Sequence, residues 1–273
     1  MPSGKRSRQR RATAPPPVRA KGRQSPRQAS PRVLAVAAAV VVLAAVGIVL
    51  GVVLSGGKKG IDASTLPTNG SVANGLPGAA DVHALFHGIP QDGETLGSAK
   101  APVTLVEYID LQCPFCQEFE TQVMPDVVKR FVRTGKVKVE ARVLAFIGPD
   151  SVRGRDAMIA AGLQRKAFDF AALLYDNQRT ENTGWLSDGM VASAASSIPG
   201  LDPQTLFRQR GSQQVGALAA GYDKAAAADG VHQTPTLYTG VSGGPLSVVK
   251  MASALDETAL VKALRFDLAS VNQ

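Results

Sequence analysis

The first long pattern along the chain is an apolar run from Val33 to Leu54, 22 residues without a charged or strongly polar side chain. As a helix it rises ~33 Å, enough to cross a ~30 Å hydrocarbon layer. A cleaved signal peptide has an apolar region of only ~7–15 residues behind a short basic stretch. Here 32 residues precede the run and no Ala-x-Ala site follows it. The pattern predicts an uncleaved transmembrane anchor over 33–54. Residues 55–80 then turn to Gly, Pro, Asn and Ser (Pro67, Asn69-Gly70, Asn74-Gly75, Pro77-Gly78) and read as a flexible linker.

From residue 81 to 273 the periodicity is that of one globular α/β domain. Val103 to Ile109 is an almost continuous apolar, β-branched run, predicting a buried strand. After a turn at Asp110-Leu111-Gln112, the apolar residues Phe119, Val123, Val127, Val128 and Phe131 recur at helical spacing. That helix is expected to reach about Thr134, kinked by Pro125 and stopped by Gly135. Val137 to Val143 alternates as a strand with one polar face. Strand, helix and strand this close together form a βαβ unit with a parallel pair. An Ala-rich stretch over about 150–229 predicts three or four helices, broken at Gly184, Pro199-Gly200 and Pro203. Two short strands (Thr236 to Thr239, Leu246 to Val249) and a helix from about Asp256 to Ala269 end the chain. No internal repeat is present.

Charge adds an orientation. Residues 1–32 hold ten Lys or Arg and no acid; without them 20 basic and 22 acidic residues remain, so the excess of +8 belongs to this tail. Basic segments stay on the cytoplasmic side of a membrane. The tail is therefore expected to be disordered and cytoplasmic, touching anionic lipid rather than nucleic acid. The reading is a single-pass protein of a bacterial cell membrane with its domain outside the cytoplasm.

The two cysteines of the chain stand in Cys113-Pro114-Phe115-Cys116, where strand passes into helix. A bridge closing so short a loop constrains the unfolded chain little, which argues against a structural disulfide. Zinc needs about four N or S ligands. Besides the pair only His83, His87 and His232 are available, all remote in sequence, so no metal site is expected. A reversible dithiol/disulfide pair is the favoured reading, with an inert pair as the bland one. His83 and His87, four apart, read as surface residues of one helix. Trp185, Phe168, Phe170 and Tyr175 read as packing of the helical block.

Three segments in order carry a resemblance: Ala101 to Tyr108, Gln112-Cys113-Pro114-Phe115-Cys116, and Gly230-Val231-His232-Gln233-Thr234-Pro235-Thr236. Over roughly residues 85–270 the chain resembles the DsbA-like thiol:disulfide oxidoreductases, which have a thioredoxin fold with a helical insertion. The resemblance implies an exposed nucleophile at Cys113, favoured as thiolate by the helix N-terminus, and a resolving Cys116. It implies a cis Thr234-Pro235 bond facing the pair, with Thr234, Pro235, Pro114 and Phe115 forming the substrate side. Phe115 departs from the His of the best-known members and supplies no positive charge. Asp110 and Glu118 would oppose the thiolate, so the Cys113 pKa is expected to fall, but by less than beside a His. At Glu107 two readings stay open: a strand residue, or an acid beneath the pair that moves protons to and from Cys116. Thr234 is either a turn residue or a tuner of the sulfurs.

The resemblance implies an oxidase that needs no cofactor beyond its Cys113–Cys116 disulfide. Exported cysteine-containing proteins would be its substrates, and a quinone-coupled membrane protein would reoxidise it. No dimerisation segment separates linker from core, so a monomer is expected and oxidation is favoured over isomerisation. A reductase or isomerase, and a chaperone or adaptor that keeps the fold only for binding, are the alternatives.

Overall fold

The computed structural model describes residues 61–271. The basic tail and the expected anchor lie outside that range, and no helix among the described residues is long and apolar enough to cross a membrane. The sheet has six strands: β1 Gln91–Asp92, β2 Thr95–Leu96, β3 Val103–Ile109, β4 Val137–Val143, β5 Thr236–Val241 and β6 Ser247–Val248. Their order is β1-β2-β4-β3-β5-β6. β3 and β4 run parallel, Leu105 beside Val139 and Glu107 beside Ala141. The other neighbours are antiparallel.

β3 is buried at every position because it lies between β4 and β5 with packing on both faces. Alternation sends Val103, Leu105 and Ile109 into the main core, and Val106 and Tyr108 into a smaller one with Ala226 and Val231. Each fully buried aliphatic side chain contributes ~1.5–3 kcal/mol, so this strand is a firm platform for the turn that follows it. β4 shows the expected one-sided pattern.

The helices are α1 Ala79–Phe86, α2 Pro114–Gln122, α3 Met124–Val127, α4 Pro149–Gly162, α5 Ala167–Asp176, α6 Asp188–Ser196, α7 Pro203–Gln209, α8 Gln213–Ala228 and α9 Glu257–Ser270. The single kinked helix expected after the cysteines is instead three pieces, α2, α3 and a π turn over Val128–Val132. Pro125 sits in the first turn of α3, where its missing N–H is harmless, so the chain breaks at Val123. Gly135 ends the run at φ +71. The block over 149–228 holds five helices, α4 to α8, rather than three or four. Pro203 starts a helix instead of breaking one, behind an Asp202 cap whose carboxylate accepts the Thr205 N–H.

Part of the stretch expected to be a flexible linker is docked. The Gly70 N–H donates to the Leu201 carbonyl at 2.8 Å and the Ser71 N–H to the Ser196 carbonyl at 2.8 Å. Gln204 Nε2 donates to the Leu66 carbonyl at 2.7 Å. The domain's ordered contacts thus begin before residue 81.

Candidate active site

β3 ends at Ile109 and the next three residues form a pinned turn. The buried Asp110 carboxylate accepts the N–H of Gln112 at 2.8 Å, of Phe146 at 2.8 Å and of Ile147 at 3.1 Å, and the Ser151 hydroxyl at 2.8 Å. Its carbonyl accepts the Cys113 N–H at 2.9 Å and the Tyr175 hydroxyl at 3.2 Å. Gln112 donates to Ser151 and accepts from the Asn182 N–H, and Gln178 donates to the carbonyls of Leu111 and Cys113. The helical block therefore holds the cysteine turn from behind and from one side.

Cys113 caps α2 with extended backbone and Pro114 takes the first helical position. Proline lacks an N–H where a helix needs none, so the sequence itself starts the helix here. Pro114 and Phe115 are exposed, whereas Cys113 is 4 % exposed and Cys116 fully buried. The expectation of a protruding Cys113 is thus corrected. The loop at the cis Thr234-Pro235 bond lies over its sulfur, and the Cys113 thiol donates to the Thr234 carbonyl at 3.2 Å. His232 stands exposed on the same loop.

The two sulfurs differ sharply. Cys113 is lowered to about 6, first by hydrogen bonding with Cys116, then by Thr234 and the N–H groups of Cys116 and Phe115, all against a desolvation that raises it. Cys116 is pushed well above the usual thiol range by burial and by Cys113, partly offset by Thr234. Thr234 thus acts on both sulfurs. Asp110, expected to oppose the thiolate, has its charge matched by four donors of its own.

Glu107 lies fully inside, on the β3 face shared with Leu105 and Ile109. Across from it on α2 is Glu120, also buried and hydrogen-bonded to it. Burial, and then the charge of Glu120, push Glu107 well above the carboxylate range. Burial raises Glu120 to about 7, with the bond to Glu107 restraining it. Sequence reasoning missed Glu120. Its signal was the spacing of four from Cys116, which puts both on one helix face. It also placed Tyr175 among packing residues. The ring is buried, but its hydroxyl reaches the active-site turn, and its own ionisation is driven far up by burial and by Cys116 and Glu120. Phe168, Phe170 and Trp185 are core residues as expected.

His83 and His87 face each other with ring centroids 5.3 Å apart. Among the described residues no group of three or more His, Cys, Asp or Glu is placed to hold a metal ion. A groove of about 380 Å³ lies beside Pro114, bounded by Gln112, Gln117 and residues 178–181. A larger cleft of about 680 Å³ includes neither cysteine but is lined by Glu120.

Comparison with known proteins agrees with this geometry. A family model described as thioredoxin matches residues 91–257. Disulfide bond formation protein D of Bacillus subtilis (strain 168) is 32% identical over 116 residues, 41% of this chain and 51% of that protein. The probable disulfide bond formation protein D of Bacillus cereus is 28% identical over 125 residues, 45% of this chain and 58% of that protein. The chain thus spans about half the length of the curated relatives it matches. Among solved structures, oxidised BdbD from Bacillus subtilis superposes with a TM-score of 0.58 at 22% identity, over 66% of this chain and 98% of that one. Wolbachia pipientis α-DsbA1 does so with 0.56 at 17% identity, over 66% and 92%. The chain belongs to the thioredoxin family, with the fold of its DsbA-like members.

Proposed function

We propose that this protein is a membrane-anchored thiol:disulfide oxidoreductase that works outside the cytoplasm as an oxidase, passing the Cys113–Cys116 disulfide to exported proteins. The observation that carries the reading is the asymmetry of the two sulfurs, Cys113 lowered to about 6 and Cys116 pushed well up. A substrate thiolate attacks Cys113 Sγ, the bond to Cys116 breaks, and Cys116 leaves with the electron pair and takes a proton. A second substrate thiolate then attacks the substrate sulfur of the mixed disulfide. Cys113 leaves as a stable thiolate, the substrate is oxidised, and the enzyme holds two electrons more. Stabilising the thiolate stabilises the reduced enzyme, which makes its disulfide an oxidant.

The surroundings suit an extended polypeptide. Phe115, 59 % exposed, stands beside Pro114, and Phe146 and Val152 are exposed on the segments that Asp110 ties to the turn. The Thr234 carbonyl at the sulfur is in place to pair with a substrate backbone by strand addition. Relatives named for disulfide bond formation favour the direction of oxidation. The basic tail and the apolar run over 33–54 favour a location outside the cytoplasm. Reoxidation there falls to a membrane protein that delivers the two electrons to quinone.

The test is oxidative refolding of reduced ribonuclease by the oxidised full-length protein in detergent, beside an insulin-reduction assay. Recovery of ribonuclease activity that Cys113→Ser abolishes is expected. Strong insulin reduction without refolding makes the protein a reductase. Function in cells that survives loss of both cysteines makes it a binding protein only.

A further inference from the structure

The disulfide exchange proposed above makes no use of the cleft of about 680 Å³, which is bounded by α1, by α2 with the segment that follows it, and by the end of α5. One end of it is acidic. Asp81, in the first turn of α1, and Asp176, the last residue of α5, repel each other there, and neither has an ion pair or a side-chain hydrogen bond among the described residues. Asp176 is open to solvent as a residue, yet partial desolvation, and then the charge of Asp81, hold its carboxyl above the ordinary value. Gln117 on α2 donates to the Tyr175 carbonyl at 2.9 Å, which brings Glu120, one turn further on, to the same end. Glu120 is 8 % exposed; it is hydrogen-bonded to Glu107, and its Oε1 has no partner among the described residues. The other end is basic. Arg133 donates to the carbonyls of Leu85 at 2.6 Å and His87 at 3.1 Å, so its guanidinium stands at the C-terminus of α1. Lys129, one turn earlier on the same segment, is exposed and has no ion pair among the described residues. Leu85, Pro125 and Ala172 line the cleft as well and give it an apolar wall.

We propose that this cleft binds a short zwitterionic peptide of two or three residues, with its N-terminal ammonium among Asp81, Asp176 and Glu120 and its C-terminal carboxylate at Lys129 and Arg133. Helix stabilisation explains only part of the charge present. Asp81 suits the N-terminus of α1, and Arg133 suits its C-terminus. Asp176 closes α5, where the negative end of the helix disfavours a carboxylate. Neither it, nor the free oxygen of Glu120, nor Lys129 is accounted for by the fold. A metal ion does not answer the acidic end, since among the described residues no three such groups are placed to hold one. An ammonium does, because it brings three donors that can meet separate carboxylates.

The spacing of the two ends sets the length of the ligand. From Asp81 to the carbonyls that hold Arg133 is four to six residues along α1, or roughly 6–9 Å at 1.5 Å per residue. An extended chain covers about 3.3–3.6 Å per residue, so two or three residues place their terminal charges that far apart. A single amino acid falls short of the basic end. The volume of the cleft lies in the usual range for small-molecule sites, ~300–1,000 Å³. Small apolar side chains suit the wall of Leu85, Pro125 and Ala172. The site includes neither cysteine, so binding there goes beyond the oxidoreductase reading and does not rest on it.

The experiment titrates the full-length oxidised protein in detergent with trialanine, by calorimetry and by saturation-transfer NMR for the weaker forms. Beside it stand N-acetyl-trialanine, trialanine amide and glycerophosphoethanolamine, a lipid headgroup with both charges set closer together. Trialanine is expected to bind with a Kd of roughly 0.1–1 mM, the affinity open to a ligand of this size. Blocking either terminus is expected to weaken it by about tenfold. Asp176→Asn is expected to weaken trialanine by about three- to fivefold and to leave the acetylated form unchanged. Lys129→Gln is expected to weaken trialanine similarly and to leave the amide unchanged. Both variants should keep the wild-type rate of disulfide exchange with dithiothreitol, which shows that they fold. No binding of trialanine at about ten times the upper expected Kd, or equal binding of its blocked forms, overturns the proposal. So does tighter binding of glycerophosphoethanolamine, which would make the ligand a lipid headgroup. Binding that neither variant alters puts the peptide elsewhere and overturns the cleft as its site. None of these outcomes touches the oxidoreductase reading.

Discussion

The carbonyl oxygen of Thr234 lies 3.2 Å from the Sγ of Cys113 and accepts its thiol proton. The residue before the cis proline therefore touches the nucleophile with its backbone while its side chain acts on both sulfurs. Two roles meet in one residue. On the proposed reading the carbonyl receives a substrate strand, and the side chain favours the thiolate of Cys113.

Thr234→Val separates them, because it removes the hydroxyl and keeps both the carbonyl and the β-branched shape. A hydrogen bond to a charged sulfur contributes about 1.5 kcal/mol, so the Cys113 pKa should rise by about one unit. Titration of thiolate ultraviolet absorbance in the reduced protein checks this. The disulfide should become a weaker oxidant against glutathione in the same variant. An unmoved titration would place the whole tuning effect in the helix N-terminus.

The pKa of Cys113 also fixes how reduction changes stability with pH. In the unfolded chain its thiol keeps its proton to about 9, whereas the folded protein releases it above about 6. Between those values the unfolded state binds more protons, so the stability of the reduced protein rises with pH. The contribution is complete above pH 9 and is lost as pH falls through about 6. Glu107 and Glu120 work in the opposite sense, their raised affinity for protons lowering stability as pH rises from the ordinary carboxylate range. They are present in both redox forms and largely cancel in the difference. Thermal unfolding of reduced minus oxidised protein should therefore climb from pH 6 to pH 9 and level off below 6. A flat difference across that window would mean that Cys113 has an ordinary thiol pKa.

Much of this was legible in the chain. The bounds of β3 follow from an apolar, β-branched run interrupted only by Glu107, and β4 from the alternation of Val137, Val139, Ala141 and Val143 against polar neighbours. The cis bond at Pro235 came from resemblance, since nothing local distinguishes it from other X-Pro bonds. Glu120 escaped because a carboxylate beside Glu118 on an amphipathic helix looks solvated; only the strand opposite it makes it a buried partner. The helix count failed at Arg165, which turns the chain at φ +62 between α4 and α5; the nearby Gly162 falls inside the Ala-rich run and reads as part of the helix. Ser187, Asp202 and Ser212 each cap a helix, signals that an Ala-rich composition obscured.

Gly70 belongs to the same class of long-range effect, since its amide meets Leu201 over a hundred residues away. A Cβ there would stand 2.3 Å from the Ile198 carbonyl oxygen and 2.6 Å from that of Ala195, both rigid backbone. Gly70→Ala should cost about 1–3 kcal/mol, as overpacking does. It should also free the segment before α1 for proteolysis while leaving disulfide exchange near normal. Limited proteolysis with mass spectrometry, beside the thiol-exchange rate, checks both halves. A variant as protease-resistant as the wild type would mean that the docked segment is held elsewhere.

Asp110 offers the sharpest contrast between what its position suggests and what its contacts do. Three residues before Cys113, a carboxylate should repel the thiolate, and removing its charge should then lower the Cys113 pKa. Its oxygens instead gather four donors, from Gln112, Phe146, Ile147 and Ser151, on both sides of the junction between the sheet and the helical block. Buried donors left without an acceptor cost about 1–3 kcal/mol each before relaxation. Asp110→Ala should therefore destabilise the protein by about 3 kcal/mol or more, read by urea unfolding of the oxidised form. Asp110→Asn keeps one acceptor and should lose less. In Asp110→Asn the Cys113 titration should move by less than about half a unit. A drop of a full unit with little loss of stability would show that Asp110 acts on the sulfur by charge and not as the clamp between the two halves of the domain.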